Sequence, residues 1–307
     1  MQQRPATDTA MLERIVRRHS GLTVTAVRHL PSGVNDVVLV SCGERQLIVR
    51  LNVVDELERF RKEAWCIERA TEVDVRGPGV LATGTEGPCA FMIESFVAGR
   101  RGDLLSDDEQ PVMWRDLGRQ LRRIHAIPVR GFGDERSDLI DGESETGWRR
   151  YLDYNLGSLT SRDPLLERQI LDQRMQAHLR TTFEGLAGLA PRFGLNHGDP
   201  SPRNMIRGDD GLLRLIDWGE AHAHLVPHFD LGVILSGRLE EEASGFDELL
   251  DGYGLDRGGY GAIRGEIRAL RLLIATDKVR WAIARKPERL QAKVETLRAL
   301  LRGWSSA

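Results

Sequence analysis

Between residues 197 and 218 the chain reads His197-Gly198-Asp199-Pro200-Ser201-Pro202-Arg203-Asn204 and then, after a short apolar run, Leu215-Ile216-Asp217-Trp218. Phosphoryl transfer needs two things that these residue types could supply. One is a carboxylate that orients an acceptor hydroxyl and takes its proton; the other is a set of hard oxygen ligands that hold Mg²⁺ against phosphates. Asp199 suits the first task, and Asn204 with Asp217 suits the second. A competing reading is a turn in which the His and Asp side chains cap nearby backbone groups. The short apolar runs 204–206 and 212–216 favour the chemical reading, because a hairpin between them carries Asn204 and Asp217 to one edge.

The elements that must position this segment fall into two groups. In the first, a helix over 8–19 places Met11, Leu12, Ile15 and Val16 at helical spacing behind a Thr/Asp cap. β-rich runs follow at 22–30, 37–41 and 46–51, the last two close enough for a hairpin. A charged helix over 55–70, with Leu57, Phe60, Ala64 and Ile67 along one face, precedes strands at 79–83 and 89–94. Five strands with one inserted helix and no βαβ alternation predict a small antiparallel lobe. From residue 100 onward helical spacing dominates: 111–126, 146–159, 164–187, 230–237, 261–285 and 287–303. Only 193–217 interrupts it, and short strands carrying polar residues inside a helical lobe mark a place for chemistry.

Composition bounds the class. A chain of 307 residues, 41% hydrophobic and 29% charged, can hold two lobes with separate cores. A net charge of −3 gives no ground for nucleic acid or an anionic membrane as partner. No apolar stretch approaches the roughly 20 residues that span a bilayer, and the first ten residues lack a signal core, so a cytoplasmic protein is expected. Cys42, Cys66 and Cys89 form neither a CxxC pair nor a zinc spacing and read as reduced thiols.

The segment 197–218 resembles the catalytic loop of the aminoglycoside phosphotransferase and choline kinase-like families, whose pattern is H-G-D-x-x-x-x-N followed by I-D-W. The step from Asp199 to Asn204 also matches the H-R-D-x-x-x-x-N loop of protein kinases. The resemblance runs over most of the chain. It implies an α+β, two-lobed protein-kinase-like fold, with a nucleotide-binding N-lobe over 1–94, a hinge at 95–99 and a mostly helical C-lobe over 100–307. It also implies roles: Asp199 as catalytic base, Asn204 and Asp217 on Mg²⁺, and ATP or GTP as donor. Ser32, Gly33 and Asn35 are similar to the family's phosphate-covering turn. Arg50 falls where the family places a cation against the α- and β-phosphates, commonly a lysine, and Glu63 where it places the ion-pair partner. Main-chain groups near Glu94, Ser95 and Phe96 are implied to read the adenine edge. His125 and Asp230 match structural positions, Asp230 bracing the catalytic loop. Arg203 replaces the small residue common before the Asn, and could reach the γ-phosphate as an arginine finger does.

For the acceptor, the tract ending Ile-Asp-Trp-Gly-Glu-Ala, with Gly131-Phe132-Gly133 and Gly147-Trp148-Arg149, is similar to hygromycin B phosphotransferases. This implies a cationic aminoglycoside and an antibiotic-resistance role. The acid-rich runs 134–145 and 240–256 would attract such a polycation if they border the cleft; a solvated surface is the other reading of each. Asp277 and Trp281 are candidate acceptor contacts. Competing acceptors are a macrolide, a nucleoside antibiotic, choline, homoserine or a methylthio-sugar. Two other classes are a catalytically silent kinase-like module and a nucleic-acid binder using the basic last helices.

Overall fold

The computed structural model describes residues 8–31 and 35–304. Helix α1 (Thr9–Ser20) is capped by the Asp8 carboxylate, which accepts from the Ala10 N–H at 3.1 Å. Strands β1 (Ala26–Leu30), β2 (Asp36–Cys42) and β3 (Arg45–Val53) lead to α2 (Leu57–Glu72), then β4 (Val80–Glu86) and β5 (Cys89–Ser95). All five strands pair antiparallel in the order β1-β2-β3-β5-β4.

Two-residue alternation divides this sheet's faces. Val49, Leu51, Cys89, Phe91 and Ile93 pack with Met11, Leu12, Ile15 and Val16 of α1. Ala90 and Met92, on the other face, meet Phe60 and Ala64 of α2. Arg50 stands opposite Met92, and Glu94 opposite Ile48, so both charged residues project on the α2 face.

The second lobe begins with β6 (Arg100–Arg101), α3 (Gln110–Ile124), α4 (Arg136–Ile140) and α5 (Ser144–Ser158). It continues through α6 (Pro164–Glu167), α7 (Gln173–Ala187), β7 (Phe193–Asn196), β8 (Met205–Arg207), β9 (Leu213–Leu215) and β10 (His222–Leu225). It ends with α8 (His228–Ile234), α9 (Ser244–Tyr253), α10 (Arg257–Arg285) and α11 (Leu290–Trp304). The architecture is the expected two-lobed kinase-like one, an antiparallel N-lobe sheet on a helical C-lobe. Strands β6, β8 and β9 make one small sheet, and β7 pairs with β10 in another. No helix among the described residues is long and apolar enough to cross a membrane. All three cysteines are free and buried.

Three readings of the sequence need correction. The strand expected over 22–30 starts at Ala26. The helix expected over 164–187 breaks, because Gln169 adopts a left-handed φ of 55° and Asp172 then caps a new helix, accepting from the Met175 N–H at 2.7 Å. The acid run 240–256 is mostly helix α9, whose Phe246, Leu249 and Leu250 are buried at helical spacing. Four of its seven acids are paired: Glu248 and Asp251 with Arg115 at 2.6 and 3.2 Å, Asp247 with Arg257 at 2.5 Å, Glu241 with Arg264 at 2.5 Å.

The lobes are tied by polar contacts. The Leu215 N–H donates to the Arg76 carbonyl at 2.8 Å, and the Arg123 guanidinium to the Asp74 carbonyl at 2.7 Å. Helices α3 and α9 meet through glycine: a Cβ on Gly118 would overlap the Leu249 carbonyl, and one on Gly252 the Arg115 carbonyl. Gly252→Ala is therefore expected to destabilise by about 1–3 kcal/mol through overpacking. Gly265→Ala, in the middle of α10 with open space around its Cβ, should instead stabilise by roughly 0.5–1 kcal/mol. Thermal or urea unfolding of the two variants checks both signs.

Candidate active site

A cleft of about 1210 Å³ runs between the lobes. Asp199, Asn204 and Asp217 line it, with Arg50, Glu63 and Glu94 on the N-lobe side. The catalytic-loop segment owes its shape to Asp230, a fully buried residue of α8. One carboxylate oxygen of Asp230 accepts from the His197 N–H and the other from the Gly198 N–H, each at 2.9 Å. The first oxygen also lies 3.1 Å from His125 Nε2, and His125 Nδ1 lies 3.0 Å from the Tyr253 hydroxyl. Gly198 adopts a φ of +83°, and a Cβ there would overlap the Glu220 carbonyl. That position therefore excludes a side chain on two grounds. The bracing role expected of Asp230 and the structural role of His125 match this geometry.

The hairpin β8–β9 pairs Met205 with Leu215, and the Ile216 N–H donates to the Asn204 carbonyl at 2.9 Å. Asn204 and Asp217 thus sit at the same end of one ladder. Asp217 has a left-handed φ of 63°, a conformation costing a non-glycine residue on the order of 1–3 kcal/mol. Its carboxylate is 58% exposed and turned to the cleft. The Asn204 amide nitrogen donates to Asp199 Oδ2 at 2.9 Å and to the Asp199 carbonyl at 3.0 Å, so its amide oxygen remains for another partner. Among the described residues no group of three or more His, Cys, Asp or Glu could cage a metal by itself. One carboxylate and one amide oxygen fit Mg²⁺, which keeps waters and takes the rest of its ligands from phosphates.

Asp199 is engaged on both oxygens. Oδ1 accepts from the Arg238 guanidinium; Oδ2 accepts from Asn204 and from Arg203 at 3.2 Å. Arg203 is the looser arginine, its side chain 65% exposed against 24% for Arg238.

Across the cleft Arg50 is buried and hydrogen-bonded to Glu63, with Glu94 at 3.8 Å and Asp217 at 3.9 Å. Burial opposes the Arg50 charge, but these three acids together hold its pKa above the ordinary arginine value. Burial pushes the Glu94 carboxyl up, to about 8, against the pull of Arg50. Each buried charge here depends on its neighbours for compensation.

Several expectations are modified. Ser32 and Gly33 lie outside the described residues. Asn35 lines the cleft, and its side-chain Oδ1 accepts from the Asn52 side-chain amide at 2.8 Å. Glu94, Ser95 and Phe96 line the cleft as expected of the hinge. However, the Ser95 N–H is committed to the Gly79 carbonyl at 2.8 Å and the Phe96 N–H to the Gln46 carbonyl at 3.1 Å. Neither amide is free for a base edge. Asp277 turns away from the cleft and accepts from the Tyr151 hydroxyl at 3.1 Å, and neither it nor Trp281 is among the cleft-lining residues. No acid of the runs 134–145 or 240–256 lines the cleft.

Sequence reasoning passed over two contributors. Lys62 is buried on α2 and its ammonium donates to the Gly219 carbonyl at 3.0 Å, joining the N-lobe helix to the turn after Asp217. The clue was its place beside Glu63, on a helix otherwise charged outward. Arg238 lies in no motif, and only the fold brings it to Asp199.

The Asp230 contacts carry a pH consequence. Burial alone would raise its carboxyl, but the His125 hydrogen bond and the loop amides hold it below the ordinary carboxylate value. Its stabilisation is therefore complete above the unfolded pKa, about 3.9, and is lost as pH falls through the depressed folded value. Asp230→Asn, which leaves a buried donor unsatisfied, is expected to cost about 1–3 kcal/mol at neutral pH and to flatten the acid side of the profile. Urea midpoints measured from pH 3 to 7 test this, and an unchanged acid slope would count against it.

Comparison with known proteins agrees with this geometry. The phosphotransferase enzyme family model matches residues 26–265. The apo structure of a thermostable mutant of aminoglycoside phosphotransferase APH(4)-Ia is 19% identical, covers 96% of this chain and 100% of its own, and superposes with a TM-score of 0.69. A ternary complex of a thermostable mutant of the same enzyme with ADP and hygromycin B is 18% identical (95% and 98% covered, TM-score 0.67). The GDP complex of wild-type aminoglycoside 2'-phosphotransferase-IIIa is 16% identical (97% and 99% covered, TM-score 0.71). At such identities the likeness speaks for the fold. No curated protein matches the sequence. With the family match spanning most of its length, the chain belongs to the phosphotransferase enzyme family.

Proposed function

We propose that this chain transfers the γ-phosphoryl group of ATP or GTP to a hydroxyl of a small molecule, with Asp199 as the base. The observation that carries the reading is the meeting of Asp199, Asn204 and Asp217 at one edge of the cleft, opposite the Arg50–Glu63 pair. The nucleotide lies between the hinge and the β8–β9 hairpin, its phosphates toward Arg50. Asn204 and Asp217 would hold Mg²⁺, which would supply neutralisation of phosphate charge. The acceptor oxygen attacks the γ-phosphorus, its proton passes to the Asp199 carboxylate, and the bond to the nucleoside diphosphate oxygen breaks. Most of the work is positioning and charge stabilisation rather than covalent catalysis. Arg203, the loosest partner of Asp199, is the cation able to shift toward the transferring group.

An aminoglycoside acceptor, and with it antibiotic resistance, is suggested by a fold neighbour solved with hygromycin B. The charge argument for it does not survive, since the acid runs do not line the cleft. The acceptor is therefore set by the wall that does line it.

Release of ADP or GDP with Mg²⁺ across a panel of hydroxylated acceptors, including hygromycin B, tests the reaction. Asp199→Asn is expected to lower acceptor-dependent turnover by about 10²–10⁴ while leaving nucleotide affinity within a few-fold. Undiminished turnover in that variant would remove Asp199 from its role.

A further inference from the structure

Beyond Asp199, the cleft wall is built by α8, α10, α11 and the turn after α8. Its charged members are Arg238, Arg271, Lys278 and Lys293, and no acid from residue 228 onward lines the cleft. On α10 itself several arginines outside the cleft have carboxylate partners: Arg257 with Asp247, Arg264 with Glu241, and buried Arg280 with Asp163 at 2.7 Å. Among the described residues, Lys278 and Lys293 have no carboxylate at ion-pair distance. Arg271 donates to the Leu235 carbonyl at 3.0 Å, and its buried Nε has no acceptor. Among the same residues Arg238 has one carboxylate partner, Asp199 itself.

The cations are also close enough to oppose one another. Partial desolvation in the cleft lowers the Lys278 pKa, and the charges of Lys293 and Arg238 lower it further. Glu220, at the cleft's edge, and Asp277 pull it back without reaching ion-pair distance. Uncompensated like charges facing one cavity are unfavourable unless an anion joins them. Between them the wall is apolar, with Phe229, Val233, Leu270 and Ile274. The groups suited to the nucleotide lie on the other side, on β3, at the hinge and on the β8–β9 hairpin.

We infer that the acceptor is a small hydroxylated anion, a sugar acid or sugar phosphate, whose charged group is gripped by Lys278 and Lys293 with Arg238 and Arg271. This rests on the phosphotransferase reading and names its substrate class. An anion drawing Arg238 to itself also frees Asp199 Oδ1 for the acceptor hydroxyl, so that binding of the correct substrate uncovers the base. A polycationic aminoglycoside meets like charge on this wall and is repelled by it.

The test pairs binding with turnover. Gluconate and glucose 6-phosphate, which separate the carboxylate from the phosphate source, are titrated against the full chain holding Mg²⁺ and AMP-PNP, with neutral glucose and kanamycin alongside. The same compounds are assayed with Mg²⁺–ATP for diphosphate release. At least one anion should bind and be phosphorylated in preference to glucose and kanamycin. Lys278→Glu and Lys293→Glu should raise the acceptor KM about tenfold or more and leave the nucleotide KM within about twofold. Lys278→Arg and Lys293→Arg, which keep the charge, should restore most of the affinity and serve as folding controls. Preference for kanamycin, anions that neither bind nor react, or a rise in nucleotide KM in place of acceptor KM each overturns the proposal. Failure of the phosphotransferase reading itself would look different: Mg²⁺–nucleotide would not bind, or an anion would bind while no compound of the panel, charged or neutral, released diphosphate.

Discussion

The carboxylate of Asp230, fully buried in α8, fixes the path of the chain that carries Asp199. Two successive amides, of His197 and Gly198, point at its two oxygens. A left-handed glycine then turns the backbone under the Glu220 carbonyl and delivers Asp199 to the cleft. A buried carboxylate is tolerable only with such donors around it, so the requirement runs both ways. The loop satisfies Asp230, and Asp230 shapes the loop. His125 and Tyr253 extend the network to α3 and to the end of α9, which connects the site to the helical core.

The N-lobe contributes the matching half by strand alternation and by buried charge. Arg50 and Glu94 share the α2 face of the sheet because their strands pair in that register, and α2 brings Glu63 to Arg50. Lys62, one residue earlier, reaches the other way to the Gly219 carbonyl. Two neighbouring positions on one helix thus hold Arg50 and the turn after Asp217. Asp217, immediately before that turn, has strained backbone geometry, which the surrounding contacts must maintain.

Much of this was legible in the sequence, for physical reasons that also explain the failures. The period-two and period-3.6 patterns gave the five strands of the first lobe and most helices, because each element buries one face. The spacing from Asp199 through Asn204 to Asp217 located the hairpin, since short loops leave few ways to connect such strands. Asp172 and Gln169 split a helix that apolar spacing alone left continuous, a cap and a left-handed residue overriding periodicity. The acids of 240–256 concealed the apolar stripe Phe246, Leu249 and Leu250, and Arg115, the partner of Glu248 and Asp251, comes from a distant helix. The basic character of the last helices was legible, but not that these cations face the cleft. Arg238, Arg271, Lys278 and Lys293 belong to separate segments, and only the packing of α8, α10 and α11 brings them to one surface.

The central claim is that the interlobe cleft is a Mg²⁺–nucleotide site built on Asn204 and Asp217, and testing it requires no knowledge of the acceptor. Isothermal titration of AMP-PNP into the wild-type chain and Asp217→Asn, with and without Mg²⁺, does so directly. The expected result is binding that depends on Mg²⁺ in the wild type and is weakened about tenfold or more in the variant. Equal affinity in all four titrations, or none in the wild type, would contradict it.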